Sequence, residues 1–246
     1  MIPKSHKNKA KRNVRIASPS KVLILSDIHI PYHDIDALLS ALEHGKKAGV
    51  DNVVLMGDTM DCHLVSTHRK SKDAPDLVEE IYATHMFLRH LRSQFKKADI
   101  YMMEGNHELR LQRYIEDNAD QLVGITALKL DRLLGLDDLG IQWLTTGQLI
   151  TAGNMTLLHG HEFSVSGINP ARKLFMKTKL SSMCGHLHRP DTFFTRNARG
   201  EGIECHVVGT LGELHPDYAP KNDWQHGYAI LDVKRNGKFK VNNVRL

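Results

Sequence analysis

The chain has 246 residues, of which 41% are hydrophobic and 25% are charged, a composition typical of a soluble globular domain with a sizeable core. It contains neither an apolar run of the roughly 18 residues that a membrane helix needs nor the apolar core of a secretory signal. We therefore expect a cytoplasmic protein with no membrane partner. Cys62, Cys184 and Cys205 lack Cys-x-x-Cys spacing, which argues against a disulfide framework and a cysteine zinc site.

The net charge of +5 is concentrated at the N-terminus. Residues 1–21 contain seven basic residues and no acidic ones, leaving 26 basic and 28 acidic residues in the rest of the chain. We expect residues 1–20 to form a basic, flexible arm and residues 21–246 to form a single domain. Such an arm can contact phosphates, although a solubilising terminus has the same composition.

Apolar runs that end in polar turn residues predict buried strands along the whole chain. These runs are residues 21–25, 53–56, 100–103, 155–158, 182–184, 205–208, 228–233 and 239–244, the last two joined by a hairpin around Asn236 and Gly237. Apolar residues at three- and four-residue spacing predict helices over residues 34–47, 76–97, 107–121 and 126–134. Strand–helix alternation followed mostly by strands predicts an α/β domain with a partly mixed sheet.

Polar side chains follow five of these runs, and histidine is over-represented with 16 copies. Side chains at the carboxyl ends of strands converge on one crevice in such folds, and histidine is a common metal ligand. Each motif has a structural alternative: an Asp or Asn there can cap a helix, and Glu108 can interact with a helix dipole. All five together favour a metal site. The residues are Asp27, His29, Asp58, Asp61, Asn106, His107, Glu108, His159, His161, His186 and His188.

The order of these motifs resembles the calcineurin-like metallophosphoesterase superfamily: Asp-x-His, Gly-Asp-x-x-Asp, Gly-Asn-His-Glu, His, then Gly-His-x-His, over roughly residues 21–190. The resemblance implies two packed mixed β-sheets flanked by helices, in four α/β/β/α layers, and a site with two divalent metal ions. His161 competes with His159 for the single-histidine position, and we prefer His159 because it directly follows the apolar run. The implied ligands are Asp27, His29 and His188 for one metal and Asn106, His159 and His186 for the other, with Asp58 bridging both.

The resemblance also implies the chemistry, which is hydrolysis of a phosphate ester by a hydroxide that bridges the two metals. His107 would protonate the departing alkoxide, and Asp61 would orient His107. Mixed imidazole and carboxylate ligands suit transition metals. We expect manganese, with iron, zinc, cobalt, nickel or magnesium as alternatives.

Departures from the pattern bear on the substrate. Cys62 and Glu104 stand where the phosphoprotein phosphatase branch has two arginines that grip a phosphoryl dianion, which argues against a protein phosphatase. Arg110, Arg113 or a histidine could still bind a monoester. We favour hydrolysis of a phosphodiester in a nucleotide or nucleic acid, with a nucleotide phosphomonoesterase as the alternative. His107 and Asp61 argue against a third hypothesis, a non-catalytic metal- or nucleic-acid-binding module.

Four residues are predicted to contact the substrate: Asn106, His107, His63 and His33. The long segment 212–227 contains Tyr218 and Trp224, which could stack on a base or simply hold the segment to the surface.

Overall fold

Two six-stranded mixed β-sheets pack face to face in the computed structural model, which describes residues 11–67, 74–163, 167–216 and 219–246. The strands are β1 (Val14–Ile16), β2 (Ser20–Leu25), β3 (Asn52–Leu55), β4 (Asp99–Met103), β5 (Ile141–Leu144), β6 (Ile150–Ala152), β7 (Met155–Leu157), β8 (Ser182–Cys184), β9 (Asp191–Arg196), β10 (Gly202–Val207), β11 (Gly227–Val233) and β12 (Phe239–Arg245). The helices are α1 (Ile35–Ala48), α2 (Leu77–Gln94), α3 (Leu109–Asn118), α4 (Leu130–Leu133) and α5 (Pro170–Thr178).

The first sheet has the order β12-β11-β2-β3-β4-β5, and the second has the order β1-β6-β7-β8-β10-β9. In the first sheet, β2, β3, β4 and β5 run parallel, whereas β11 pairs antiparallel with β2 and β12. In the second sheet, β8 runs parallel to both β7 and β10. The carboxyl ends of β2, β3 and β4 therefore lie together at one edge of their sheet.

Alternating side chains of the first sheet fill two different cores. Val22 and Ile24 of β2 pack between the two sheets, whereas Leu23 and Leu25 pack against the outer helices. All four side chains are fully buried, because the second sheet covers one face of the strand and the helices cover the other. A third cluster joins α5 to the outer face of the second sheet through Leu174. The result is the predicted arrangement of two packed mixed sheets flanked by helices.

The structure corrects several sequence-based predictions. The helix predicted over residues 126–134 is instead a 3-10 turn (Thr126–Leu128) and the single turn α4, because Lys129 between them is extended (φ −71°, ψ 138°). Strands β1, β5, β6 and β9 and helix α5 were not predicted. The other predicted helices exist with shorter or shifted ends, and the hairpin turn at Asn236–Gly237 joins β11 to β12 as expected.

Part of the predicted N-terminal arm lies in the two sheets. Val14–Ile16 form β1, which pairs with β6 at the edge of the second sheet, and Lys11 Nζ donates to the carbonyl of Thr146 at 2.8 Å. Ser20, the last residue assigned to the arm, begins β2 of the first sheet. Residues 1–10 lie outside the described residues.

Candidate metal centre

The loops that follow β2, β3, β7 and β8 meet at the facing edges of the two sheets. Within the first sheet, the backbone N–H of His29 donates to the carbonyl of Asp58 at 3.0 Å. Across the sheets, the backbone N–H of His186 donates to Asp27 Oδ2 at 2.9 Å. Within the second sheet, the backbone N–H of Gly185 donates to the carbonyl of His159 at 2.9 Å. These bonds bring motifs that are far apart in the sequence into one buried cluster.

Five of the predicted ligands have left-handed backbones. Asp27, His29, Asp58, His186 and His188 have φ values between 51° and 67°. Non-glycine residues adopt this region rarely and at some cost, and such strain is concentrated at functional sites. The consequence here is that the chain turns sharply at the end of each strand, which directs successive side chains into the same cluster.

The two histidines after β8 point to opposite ends of the cluster although they are only two residues apart. An extended i, i+2 pair would point both rings the same way, but β8 ends at Cys184, and both residues have positive φ. His188 consequently lies against Asp27, with Nε2 3.2 Å from Oδ1, whereas the ring of His186 packs beside His159 at a centroid distance of 5.1 Å.

Two glycines allow the closest approaches in the cluster. A Cβ at Gly185 would lie 1.9 Å from Ser26 Oγ and 2.4 Å from Asp27 Oδ2, and one at Gly105 would lie 2.2 Å from Asp58 Oδ1. Any side chain at these positions would displace a carboxylate of the cluster.

Donor atoms converge in three overlapping groups, within each of which all atoms lie within 4.8 Å of one another. The groups are Asp27, His29 and His188; His29, Asp58 and His107; and Asp58, His159 and His186. Asp58 thus connects the two ends of the cluster. Asn106 joins the third group, with Oδ1 3.1 Å from His159 Nε2.

His159 rather than His161 belongs to this cluster. His159 is fully buried, and its Nδ1 lies 2.8 Å from the carbonyl of Met56, which directs Nε2 to Asp58 Oδ2 at 3.2 Å. His161 lies in the next turn, where its Nδ1 is 3.8 Å from Glu162.

The charges of the cluster fit divalent cations. Asp27 and Asp58 are buried, and among the described residues their ion-pair partners are histidines. Burial alone would raise the pKa of both carboxyls, but the neighbouring histidines hold both values well below the usual range. Burial likewise works against protonated His159, yet the Asp58 charge raises its pKa to about 10. Protonated histidines thus neutralise the negative charge of the buried carboxylates, and divalent metal ions bound there would neutralise the same charge.

Imidazole nitrogens also face each other across the cluster, as in a metal site. His29 Nε2 and His188 Nε2 are 3.1 Å apart. The lone pairs of both nitrogens can converge on one cation, which is the donor arrangement that first-row divalent metals accept.

Beside the cluster, Asp61 connects His29, His107 and Arg110. Its Oδ1 lies 2.9 Å from His29 Nδ1 and 3.0 Å from His107 Nδ1, so both imidazoles turn Nε2 inward. Burial opposes the charge of Asp61, but hydrogen bonds from His107 and His29 lower its pKa well below the usual range. Arg110 donates to the carbonyl of Asp61 at 2.8 Å, and its Nη2 lies 2.9 Å from His107 Nε2.

Glu108 has a supporting role that the sequence did not reveal. Its buried carboxylate accepts hydrogen bonds from four backbone N–H groups, at distances of 2.7–3.1 Å. Three of these donors belong to residues 58–60 and the fourth to Gly105, so one side chain fixes the loops that carry Asp58 and Asn106. The sequence signal was a carboxylate at the start of a helix, which is also typical of a dipole interaction.

A cavity of about 550 Å³ opens onto the cluster. Its lining includes His63, as predicted, and also Ser66 and Trp224, of which Ser66 was not predicted. His33 does not reach this cavity. It lies in another depression beside Glu213, because its backbone bridges to Gly212. Tyr218 lies outside the described residues. The described lining residues are Asp58, Asp61, His63, Ser66, Asn106, His107, Arg110, His186, His188 and Trp224.

None of the helices in the described parts of the chain combines the length and apolar composition needed to cross a bilayer.

Comparison with known proteins agrees with the donor cluster. The family model described as calcineurin-like phosphoesterase matches residues 20–241. Two curated relatives are both called Gene 54 protein. The one from Mycobacterium phage L5 is 25% identical, over 87% of this chain and 89% of the relative, and the one from Mycobacterium phage D29 is 26% identical, over 88% and 90%.

Among solved structures, an Escherichia coli phosphoesterase, Yfce, resembles the chain loosely. It has a TM-score of 0.40 and 18% identity, and the alignment covers 91% of this chain and 98% of that one. The family match over most of the chain identifies a metal-dependent phosphoric ester hydrolase with a dinuclear site. The chain therefore belongs to the calcineurin-like phosphoesterase family.

Proposed function

We propose that this protein hydrolyses a phosphodiester bond in a nucleotide or nucleic acid, and that manganese is its metal. The observation that carries the choice of a diester is the charge of the cavity wall. Arg110 alone carries a guanidinium among the described lining residues, and it is bonded to His107 and Asp61. A monoester dianion carries one more negative charge than a diester monoanion, so a wall with one arginine suits the diester.

Positions 62 and 104 do not add to that positive charge. Cys62 is fully buried in the core on the helix side of the first sheet. The Glu104 carboxylate points away, where it accepts hydrogen bonds from the backbone N–H of Thr146 at 2.7 Å and from its hydroxyl at 2.9 Å. The two arginines that grip a phosphoryl dianion in protein phosphatases therefore have no counterpart here.

We assign Asp27, His29 and His188 to one metal and Asn106, His159 and His186 to the other. Asp58 lies between them, and its place in two of the donor groups supports a bridging role. When bound, the two ions polarise the phosphoryl oxygens and lower the pKa of water toward neutrality.

His107 is the proposed acid for the leaving group, and Asp61 is the residue that positions it. Arginine only donates, so the contact of Arg110 Nη2 with His107 Nε2 requires a lone pair on Nε2 and a proton on Nδ1, next to Asp61. A phosphoryl oxygen is a stronger acceptor for Arg110 than a neutral imidazole. Once the substrate takes over that contact, Nε2 can take a proton from solvent, which gives an imidazolium next to the Asp61 carboxylate, and can deliver that proton to the departing alkoxide.

A nucleotide phosphomonoesterase is the second candidate. Arg110 and His63 both line the cavity, and together they could hold the extra charge of a terminal phosphate.

The experiment that separates these candidates compares bis(p-nitrophenyl) phosphate with p-nitrophenyl phosphate, using manganese-loaded protein and Asp58→Asn as the blank. We expect the diester to have the higher kcat/KM and the variant to be inactive. Preference for the monoester would transfer the assignment to a nucleotidase. Absence of both activities with two metals bound would favour a binding module. Reloading with zinc, iron, cobalt, nickel or magnesium tests the choice of manganese.

Residues 1–10 are proposed to help nucleic acid approach the site, because Lys4, Lys7 and Lys9 lie there without a neighbouring acid. Deletion of residues 1–10 should reduce both oligonucleotide cleavage and its salt sensitivity, while hydrolysis of bis(p-nitrophenyl) phosphate stays unchanged. Unaltered salt dependence of oligonucleotide cleavage would contradict the proposal.

A further inference from the structure

We propose that Trp224 is a stacking platform for an aromatic ring, a nucleobase, on the ester group that remains attached to the phosphate after hydrolysis. This inference rests on the proposed phosphodiesterase function and specifies the substrate class of the same site.

Trp224 lines the cavity beside His188. Ring contacts run from His107 to His29 at 4.4 Å, from His29 to His188 at 5.0 Å, and from His188 to Trp224 at 4.2 Å. Trp224 therefore ends a row of rings that starts at the proposed acid. Because the leaving group departs next to His107, a ring that stacks on Trp224 belongs to the group that stays on the phosphate.

Trp224 differs in polarity from the other residues of the cavity wall. The other described lining residues are acidic, basic, amide, hydroxyl or imidazole side chains, and Trp224 supplies the large apolar face. Trp224 is half-buried, and its ring meets that of His188 at an interplanar angle of 71°. An indole face beside a phosphate-binding centre suits a base attached to that phosphate, since every base has a face that can stack.

Hydrogen bonds hold the backbone around Trp224 in place without a bound ligand. The backbone N–H of Gln225 donates to the carbonyl of His188 at 2.8 Å, and that of Trp224 donates to Asn222 Oδ1 at 2.9 Å. The residue before Trp224, Asp223, forms an ion pair with Arg189. A platform that is ordered before the ligand arrives loses little conformational entropy on binding.

The experiment uses two diesters with the same leaving group, p-nitrophenolate. Methyl p-nitrophenyl phosphate retains a methyl group on the phosphate, whereas thymidine 5′-(p-nitrophenyl phosphate) retains a nucleoside. We expect the wild type to favour the thymidine ester in kcat/KM. Trp224→Leu should lower that preference about tenfold, mainly through the KM of the thymidine ester, so that the thymidine ester loses about ten times more kcat/KM than the methyl ester does. Trp224→Phe should restore most of the preference.

Phe194→Leu is the matched control, because Phe194 is an exposed aromatic on β9 outside the cavity, and it should leave both rates unchanged. An unchanged substrate ratio in Trp224→Leu would overturn the proposal. An equal loss on both esters would also overturn it, because Trp224 would then only hold its segment in place. If the wild type hydrolysed neither ester with two metals bound, the phosphodiesterase function itself would fail, which is a distinct result.

Discussion

At the scale of single residues, one carboxylate oxygen orients two imidazoles. Asp61 Oδ1 contacts Nδ1 of both His29 and His107, so the proposed metal ligand and the proposed acid share one support. The sequence motif linked Asp61 to His107 alone. Its contact with His29 exists because the backbone N–H of Asp61 also bonds to the carbonyl of Ile30, which places the two loops side by side.

The role of His107 can be tested by its dependence on the leaving group. His107→Gln should lower kcat by about 10²–10⁴ for a diester that releases an alkoxide, because that group needs a proton as it departs. The loss should be far smaller for a diester that releases p-nitrophenolate, which departs as a stable anion. Steady-state kinetics and metal analysis check this expectation.

The exposed His90→Gln on α2 serves as the control variant for that test. Equal losses for both kinds of leaving group would show that His107 does not act as an acid. Loss of bound metal in His107→Gln would instead identify His107 as a ligand.

Glu80 is a buried carboxyl whose ionisation opposes folding. It lies on α2, where Oε1 accepts a hydrogen bond from the backbone N–H of His63 at 3.0 Å. Burial, with a contribution from the Asp61 charge, raises its pKa from 4.5 to about 7. Between these two values the folded state binds the proton more tightly than the unfolded chain does, so the free energy of unfolding falls as pH rises.

Glu80→Gln does not titrate and should remove that part of the pH dependence. We expect the free energy of unfolding of Glu80→Gln, relative to the wild type, to increase between pH 5 and pH 7 in urea denaturation of metal-free protein. Glu43→Gln on the exposed face of α1 should show no such trend. A constant difference between Glu80→Gln and the wild type would rule out a raised pKa for Glu80.

At the scale of secondary-structure elements, burial decides which strands the sequence could predict. The runs in β2, β3 and β4 are almost wholly buried and therefore read as apolar. In β9, by contrast, half-buried and exposed residues alternate, and β1 has three residues, so neither produces an apolar run. The sequence thus predicted the strands that precede the candidate ligands and missed β1, β5, β6 and β9.

The turn after β8 gives a test at this scale. Gly185→Ala should displace Asp27, because the new Cβ would lie 2.4 Å from Oδ2 and 1.9 Å from Ser26 Oγ. We expect the affinity for manganese to fall at least about tenfold, a loss comparable with that caused by disturbing the support of a metal ligand. Titration calorimetry measures this affinity.

Gly202→Ala is the matched control for Gly185→Ala, because a Cβ at Gly202 meets nothing within 4 Å and its φ is not positive. It should bind manganese as the wild type does. Wild-type affinity in Gly185→Ala would mean that the loop can move aside without disturbing Asp27.

At the scale of the whole molecule, the donor cluster lies between the two sheets. Asp27, His29 and Asp58 follow strands of the first sheet, whereas His159, His186 and His188 follow strands of the second. Metal ions bound by both sets, as proposed above, would connect the two sheets, and a ligand that binds only the folded state stabilises that state.

Manganese should therefore raise the melting temperature of the metal-free protein. At a free concentration of 100 times Kd the stabilisation is about 2.7 kcal/mol, which corresponds to a rise of roughly 5–10 °C for a chain of this length. At one fixed manganese concentration, the rise in melting temperature should be greater at pH 8 than at pH 6, because protons compete with the metal for the ligands. Calorimetric scans of the wild type and Asp58→Asn check it, and an equal rise in both proteins would contradict a role of Asp58 in metal binding.

The sequence by itself indicated the types of the candidate ligands, their order and the strands that precede them, because buried parallel strands and polar turns leave local patterns. It could not determine that left-handed turns direct His186 and His188 to opposite ends of the cluster, that His33 turns away, or that Glu108 supports two loops. Those outcomes depend on left-handed backbone turns and on contacts between residues as far apart as Asp27 and His188, and neither is encoded in local spacing. Only the packing of the two sheets decided them.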